Sequence, residues 1–200
     1  MKALFNTRTL TLGLLAVGLA FGSISCGKKK KAAEAAPPSG ETLIKQYCAG
    51  DEYFSDKKFF RANNLGESMD QATAKKKAYS NARADLASSV STTIKGVIDN
   101  YVNSREYNNK EEVEERFEGL TREVIDQQLS GVKTICEEVV KVNATGKFKY
   151  YIAIELSGQD LVEAINERIT NDERLKIDYD YEKFKETFNQ EMEKLENDRP

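Results

Sequence analysis

Apolar residues that return every three or four positions from Met69 to Tyr101 constrain this chain more than any other feature. Met69, Ala72, Tyr79, Ala82, Leu86, Val90, Ile94, Val97 and Tyr101 fall on one face of a helix running from about Met69 to Ser104. Alanines keep part of that face thin, so another element can pack close against it. Ahead of the helix, Phe59–Ala62 reads as a short strand and Asn63-Asn64-Leu65-Gly66 as the turn after it. Ser68 with Gln71 three residues on has the spacing of a capping box, which satisfies two amides at a helix start. Gly96 costs roughly 1 kcal/mol relative to Ala, so a bend is expected near the helix end.

The elements that follow alternate in period. Asn109 with Glu112 caps a second helix, Lys110 to Leu129, striped by Val113, Phe117, Leu120 and Val124. Gly131 after it suits a left-handed turn. Val132–Val142 is a strand with imperfect alternation, because Cys136 and Glu138 share the parity of Val132, Val140 and Val142. A bulge or an edge position explains that pattern. Lys147–Leu156 alternates cleanly, with Phe148, Tyr150, Ile152, Ile154 and Leu156 on one side, and Asn143-Ala144-Thr145-Gly146 closes the hairpin. Ser157 with Asp160 opens a helix over Gln159–Thr170. A short helix is also expected over Glu41–Gly50. The fold class is therefore α+β: a small antiparallel sheet (strand, long helix, helix, β-hairpin, helix) with helices packed on one face.

The charged tail, residues 171–200, carries Tyr181, Phe184, Phe188, Met192 and Leu195 at helical spacing. This amphipathic helix either folds back on the domain or offers its stripe to a partner or a second copy.

The amino terminus has a different character. Met1–Arg8 is basic, Thr9–Phe21 is apolar and Ser23-Ile24-Ser25-Cys26 follows, the three parts of a secretory signal over residues 1–25. Cys26 directly after the small Ser25 resembles the lipobox of bacterial lipoproteins, although Ser23 stands where leucine is usual. That resemblance implies a diacylglycerol on the Cys26 thiol, removal of the preceding peptide and acylation of the new amino group. Ser23 and Ser25 also satisfy the rule for ordinary signal cleavage, which would leave a lipid-free secreted product. Gly27 and Lys28–Lys31, then an Ala/Pro stretch with Pro37 and Pro38, make residues 26–40 a basic collar and flexible tether. Several acyl chains are what stable anchoring takes.

Composition then excludes several chemistries. The net charge is −3. Residues 1–25 hold Lys2 and Arg8 and no acid, so the rest has 28 basic against 33 acidic residues, or −5. An acidic domain lacks the electrostatic footprint of a nucleic-acid binder. Histidine is absent, which removes the commonest neutral-pH base and metal ligand. No Gly-rich phosphate loop or Cys/His cluster is present, so neither cofactor nor metal is expected. Thr92-Thr93-Ile94-Lys95 has a hydroxyl three residues before a lysine, the spacing of a penicillin-recognising nucleophile, but S-D-N and K-T-G are missing downstream. The paired acids Glu111-Glu112, Glu114-Glu115 and Glu137-Glu138 read as solvated faces. Lys75, Lys76 and Lys77 read as a solvated helix face or a site for an acidic surface. Cys48 and Cys136 are either two buried thiols or, in an oxidising compartment, a disulfide closing a loop of about 88 residues and adding about 4 kcal/mol.

The order strand, alanine-rich helix, second helix, hairpin, helix, with Ala74, Ala78, Ala82-Arg83-Ala84, Leu86-Ala87 and Tyr150-Tyr151-Ile152-Ala153-Ile154, resembles the LPP-twenty family of bacterial lipoproteins across roughly Phe59–Thr170. The resemblance implies an α+β domain over residues 41–170, anchored at the outer membrane, with no catalytic residues to carry over. The expected function is a non-catalytic envelope lipoprotein, a structural, interaction or assembly module with an envelope protein or a second copy as partner. The alternative is a carrier with an apolar pocket lined by Phe148, Ile152, Leu86 and Val90.

Overall fold

The computed structural model describes residues 44–198. The signal segment, Cys26, the tether, residues 41–43 and the last two residues lie outside the described residues. Strand β1 (Phe59–Ser68) leads into helix α1 (Gln71–Asn103), and α2 (Lys110–Gln128) follows. Strands β2 (Lys133–Lys141) and β3 (Phe148–Ser157) form the hairpin, and α3 (Gly158–Thr170) and α4 (Tyr181–Asn197) complete the chain. The architecture is α+β. All strands are antiparallel, in the order β1-β3-β2, so the most regular strand in sequence is the central one.

β1 is much longer than its sequence suggests. Asn63, Asn64, Leu65 and Gly66 form no turn; they pair with Ala153, Ile152, Tyr151 and Tyr150. Two side-chain bonds tie this stretch to α1. Asn64 donates to Asp85 at 2.7 Å, and Asn81 donates to the Leu65 carbonyl at 3.1 Å. Gly66 is required for proximity. A Cβ there would stand 2.3 Å from the Ala74 carbonyl oxygen and 2.4 Å from the Ala78 amide nitrogen. Ala74, Ala78 and Ala82 are fully buried beneath this strand, as the thin helix face requires.

Continuing the strand through Ser68 displaces the cap. Asp70, not Ser68, accepts from the Thr73 amide at 2.8 Å, while Ser68 accepts from the Asp70 amide at 3.3 Å. Met69 precedes the helix and is 65% exposed, and Ala72 is exposed too. The buried line starts instead at Ala74. Gly96 sits in an uninterrupted helix, where its missing side chain makes room for Glu191 of α4.

α1 has 33 residues, about 50 Å at 1.5 Å each. The ten-residue strands span about 33 Å. The carboxy-terminal part of α1 therefore overhangs the sheet; α2 and α4 pack along it, and α3 packs on α2. Tyr101, Phe117, Tyr179 and Phe184 form the centre of that bundle, with ring centroids 5.4 Å apart for Tyr101–Phe184 and 5.7 Å for Tyr101–Phe117. The Tyr101 hydroxyl accepts from the Asp180 amide at 2.8 Å, fixing the start of α4. Burial pushes the neighbouring Tyr107 hydroxyl up to about 12, with Tyr101 reinforcing the shift.

Several expectations need correction. The tail stripe is not a partner surface. Phe184, Phe188 and Met192 are buried, Tyr181 and Leu195 half-buried, and Phe188 meets Phe60 of β1 edge-on at 6.4 Å. The bundle would lie open along α1 without α4, so its apolar face is spent inside. The carrier pocket is filled as well: Leu86, Val90 and Ile152 belong to the close-packed core, and Phe148 packs against it. Gly131 ends a 3₁₀ turn, Leu129–Gly131, without a positive φ. The left-handed glycine is Gly146 (φ 72°), whose amide donates to the Val142 carbonyl at 2.7 Å to close the hairpin. Residues 44–50 contain no helix; Cys48 has φ 54°, which breaks helical geometry, and a 3₁₀ turn follows at Asp51–Tyr53.

Gly66→Ala should cost about 3 kcal/mol, since backbone atoms cannot yield as side chains do. Gly131→Ala, with nothing within 4 Å of the added methyl, should change stability by less than about 0.5 kcal/mol. Urea unfolding of the two variants checks this pair.

Candidate functional site

On the sheet face turned away from α1, Cys48 and Cys136 are joined by a disulfide, with Cα atoms 5.6 Å apart. The β2 ladder explains why Cys136 is available there. Thr134 pairs with Ile154 and Cys136 with Ala153, leaving Ile135 as an extra residue at a bulge. After the bulge Cys136 shares a face with Ala153, whose partner on β1 is Asn63, and Glu137 turns to the helix side opposite Ile152. The disulfide lies over Ala153, which is fully buried although it sits on the back of the sheet. The Tyr47 ring packs tilted against that of Tyr151, centroids 5.5 Å apart. Arg61 holds the following segment, donating to Asp56 at 2.6 Å, to the Phe54 carbonyl at 3.1 Å and to Glu155 at 3.1 Å. Residues 47–58 thus form a covalently pinned cover on the sheet's back.

A second group stands where α1 begins and the hairpin turns. Lys75 on α1 donates to Glu137 of β2 at 2.8 Å, the Tyr150 hydroxyl donates to the same carboxylate, and the Lys75 ammonium lies 5.5 Å from the Tyr150 ring centroid. The bonds from Lys75 and Tyr150 hold Glu137 below the usual carboxylate range, and Glu137 with Tyr150 holds the Lys75 ammonium above its usual range. Glu67 takes Lys147 at 2.8 Å and Lys149 at 3.9 Å. This region gathers Lys75, Lys76, Lys77, Lys141, Lys147 and Lys149.

A third group lies between α1 and α2. Asp99, Glu114 and Glu118 each bring a carboxylate oxygen within 4.8 Å of the others. All three are half-buried, and one Asp99 oxygen is buried without a hydrogen-bond partner. Lys95 is the nearby counter-charge, 3.6 Å from Glu118. A cleft of about 250 Å³ opens beside it, floored by Ile94, Ile98 and Ile125. Partial burial, then the Asp99 carboxylate, raises the Glu114 pKa. Glu114-Glu115 had the pattern of a solvated pair; only the rotational setting of α2 on α1 turns Glu114 inward, and a sequence does not state that setting. At the other side of α2, Asp172 is held down to about 2, chiefly by its bonds from Arg116 at 2.8–3.0 Å.

Thr92 and Lys95 do not meet as nucleophile and base. The Thr92 hydroxyl donates to the Ser88 carbonyl at 2.9 Å, and Lys95 turns to Glu118. No helix among the described residues is long and apolar enough to cross a membrane. No protein-family model matches the chain, and neither a curated protein nor a solved structure matches it.

Reduction of the disulfide should lower stability by about 2–4 kcal/mol without abolishing the helical signal, because it frees a long loop in the unfolded chain. Circular dichroism in urea with and without reductant measures it. Glu114→Gln has a pH signature. A carboxyl whose folded pKa is raised contributes stability below its unfolded pKa and loses that contribution as pH rises through the folded pKa. The variant should therefore match the parent below the ordinary glutamate range and gain on it as pH rises past that range, read from melting temperatures across a pH series.

Proposed function

We propose that this chain is an envelope lipoprotein that works by contact rather than by catalysis. It is held to a membrane by acyl chains on Cys26 and carries its α+β domain on the Lys/Ala/Pro tether. The observation that supports this most is the Cys48–Cys136 disulfide. Such bonds persist in oxidising compartments outside the cytosol, in keeping with the signal-like start and the lipobox-like Ser25-Cys26. The bond also lies at the root of the tether, where an anchored domain needs its attachment secured. The family resemblance in the alanine helix and hairpin points the same way, toward the outer membrane.

The polar groups that stand together in the domain support a structural role. Lys75–Glu137, Arg61–Glu155 and Arg116–Asp172 each tie one element to another. The edge of β2 is charged by Lys133, Glu137, Glu138 and Lys141 and is interrupted by a bulge. Both features oppose indiscriminate strand addition and leave contact to chosen surfaces.

Replacing Cys26 by Ala tests the anchor. The parent chain should enter the detergent phase and incorporate labelled fatty acid, and the variant should incorporate none and move to the aqueous phase. An unacylated parent, or a variant that partitions as the parent does, defeats the proposal.

A further inference from the structure

We propose that the hairpin end of the sheet is a lipid-facing surface that lies against anionic headgroups once the chain is anchored. This rests on the membrane reading above and names the part of the domain that touches the bilayer. Six lysines, Lys75, Lys76, Lys77, Lys141, Lys147 and Lys149, collect at that end against four carboxylates, Glu67, Asp70, Glu137 and Glu138. Among the described residues Lys76 and Lys141 form no ion pair with a carboxylate; Lys141 instead lies 5.5 Å over the Phe148 ring. The bundle end has the opposite sign, with seven acidic against three basic residues on α2 alone. A domain with a negative balance thus presents one positive end, which orients it toward a negative surface.

Three of the large exposed apolar side chains, Met69, Val139 and Tyr47, stand at the same end, while Ile177 is exposed in the bundle. Met69 is 65% exposed and lies against the hairpin turn, its terminal methyl 3.9 Å from where a Gly146 Cβ would stand. Val139, opposite Tyr150, is 41% exposed, and Tyr47 is 54% exposed. A headgroup interface accepts this combination of aliphatic tips, a tyrosine and long lysine side chains. The direction of the chain fits too. Tyr47 contacts Tyr151, which is nearer the hairpin turn than the Cys136–Ala153 pair. The described chain before Cys48 therefore approaches the disulfide from the hairpin side.

The chain has no tryptophan, so single reporters can be placed. Met69→Trp marks the proposed surface. Ile177→Trp, at a position 75% exposed in the bundle, marks the far end. Both are made in the mature chain, residues 26–200, carrying Cys26→Ala, so that neither an acyl chain nor the apolar signal segment contributes. They are mixed with vesicles of phosphatidylcholine alone, or with about one third phosphatidylglycerol, with and without brominated acyl chains. The position-69 reporter should shift to shorter wavelength and be quenched by brominated lipid on the anionic vesicles only, and high salt should reverse this. The position-177 reporter should not respond. Lys76→Gln with Lys141→Gln should weaken partitioning roughly thirtyfold with an unchanged melting temperature. Equal responses at the two positions, equal binding to neutral vesicles, or no shift at position 69 overturns the proposal. Acyl analysis of the parent chain is read separately. An unacylated parent defeats the anchor and leaves the vesicle result standing; an acylated parent with no shift at position 69 defeats only this surface.

Discussion

Backbone meets backbone where Gly66 crosses Ala74 and Ala78, and that approach sets the depth at which the sheet sits on α1. The missing side chain at position 66 brings β1 within van der Waals range of a helical carbonyl and amide. β3 pairs with β1 in strict register, so Tyr150, Ile152, Ile154 and Leu156 are delivered to the helix at matching height and become the core. The hydrophobic term does most of the work, but it acts only because the small residues on both elements permit contact. α1 then continues past the sheet, and its second half becomes the shared wall of the helical bundle. One helix serves two packing problems, with alanine where a strand approaches and Leu86, Val90, Ile94, Ile98 and Tyr101 where larger spaces must be filled.

Much of this could be read from the residues, and the failures have specific causes. The alternation in Lys147–Leu156 marks the central strand because one of its faces is a row of large apolar side chains. The parity break at Cys136 marks the bulge. Asn63-Asn64-Leu65-Gly66 misleads because asparagine and glycine are ordinary turn residues. Here the asparagines are strand residues, and Gly66 is chosen for its lack of volume. The tail stripe misleads in another way. Spacing identifies an apolar face at Phe184, Phe188 and Met192, but it does not say what covers that face, and α4 returns to meet Phe60 and Tyr101.

The inward Glu114 and the lysine-rich hairpin end were hidden for a common reason. Both depend on bringing distant segments side by side, α1 with α2 in one case and α1 with the β2–β3 turn in the other. Lys75–Lys77 are a charge run in sequence. They become one side of a larger positive surface only when Lys141, Lys147 and Lys149 are folded next to them. The domain's charge is thus sorted along its length, and a modest net charge conceals two ends of opposite sign.

The Cys48–Cys136 bond also decides how the domain bears tension. A pull from the amino-terminal side reaches Cys48 and crosses the sulfur bridge directly into β2. The backbone from Ala49 to Ile135, which includes β1, α1 and α2, is bypassed and is not stretched. Without the bridge, a pull from the amino-terminal side would peel the domain from β1 inward, one ladder bond after another. With the bridge closed, stress enters at β2 and must disrupt β2 from β3, or α3 and α4 beyond them, while the loop between the two cysteines stays closed.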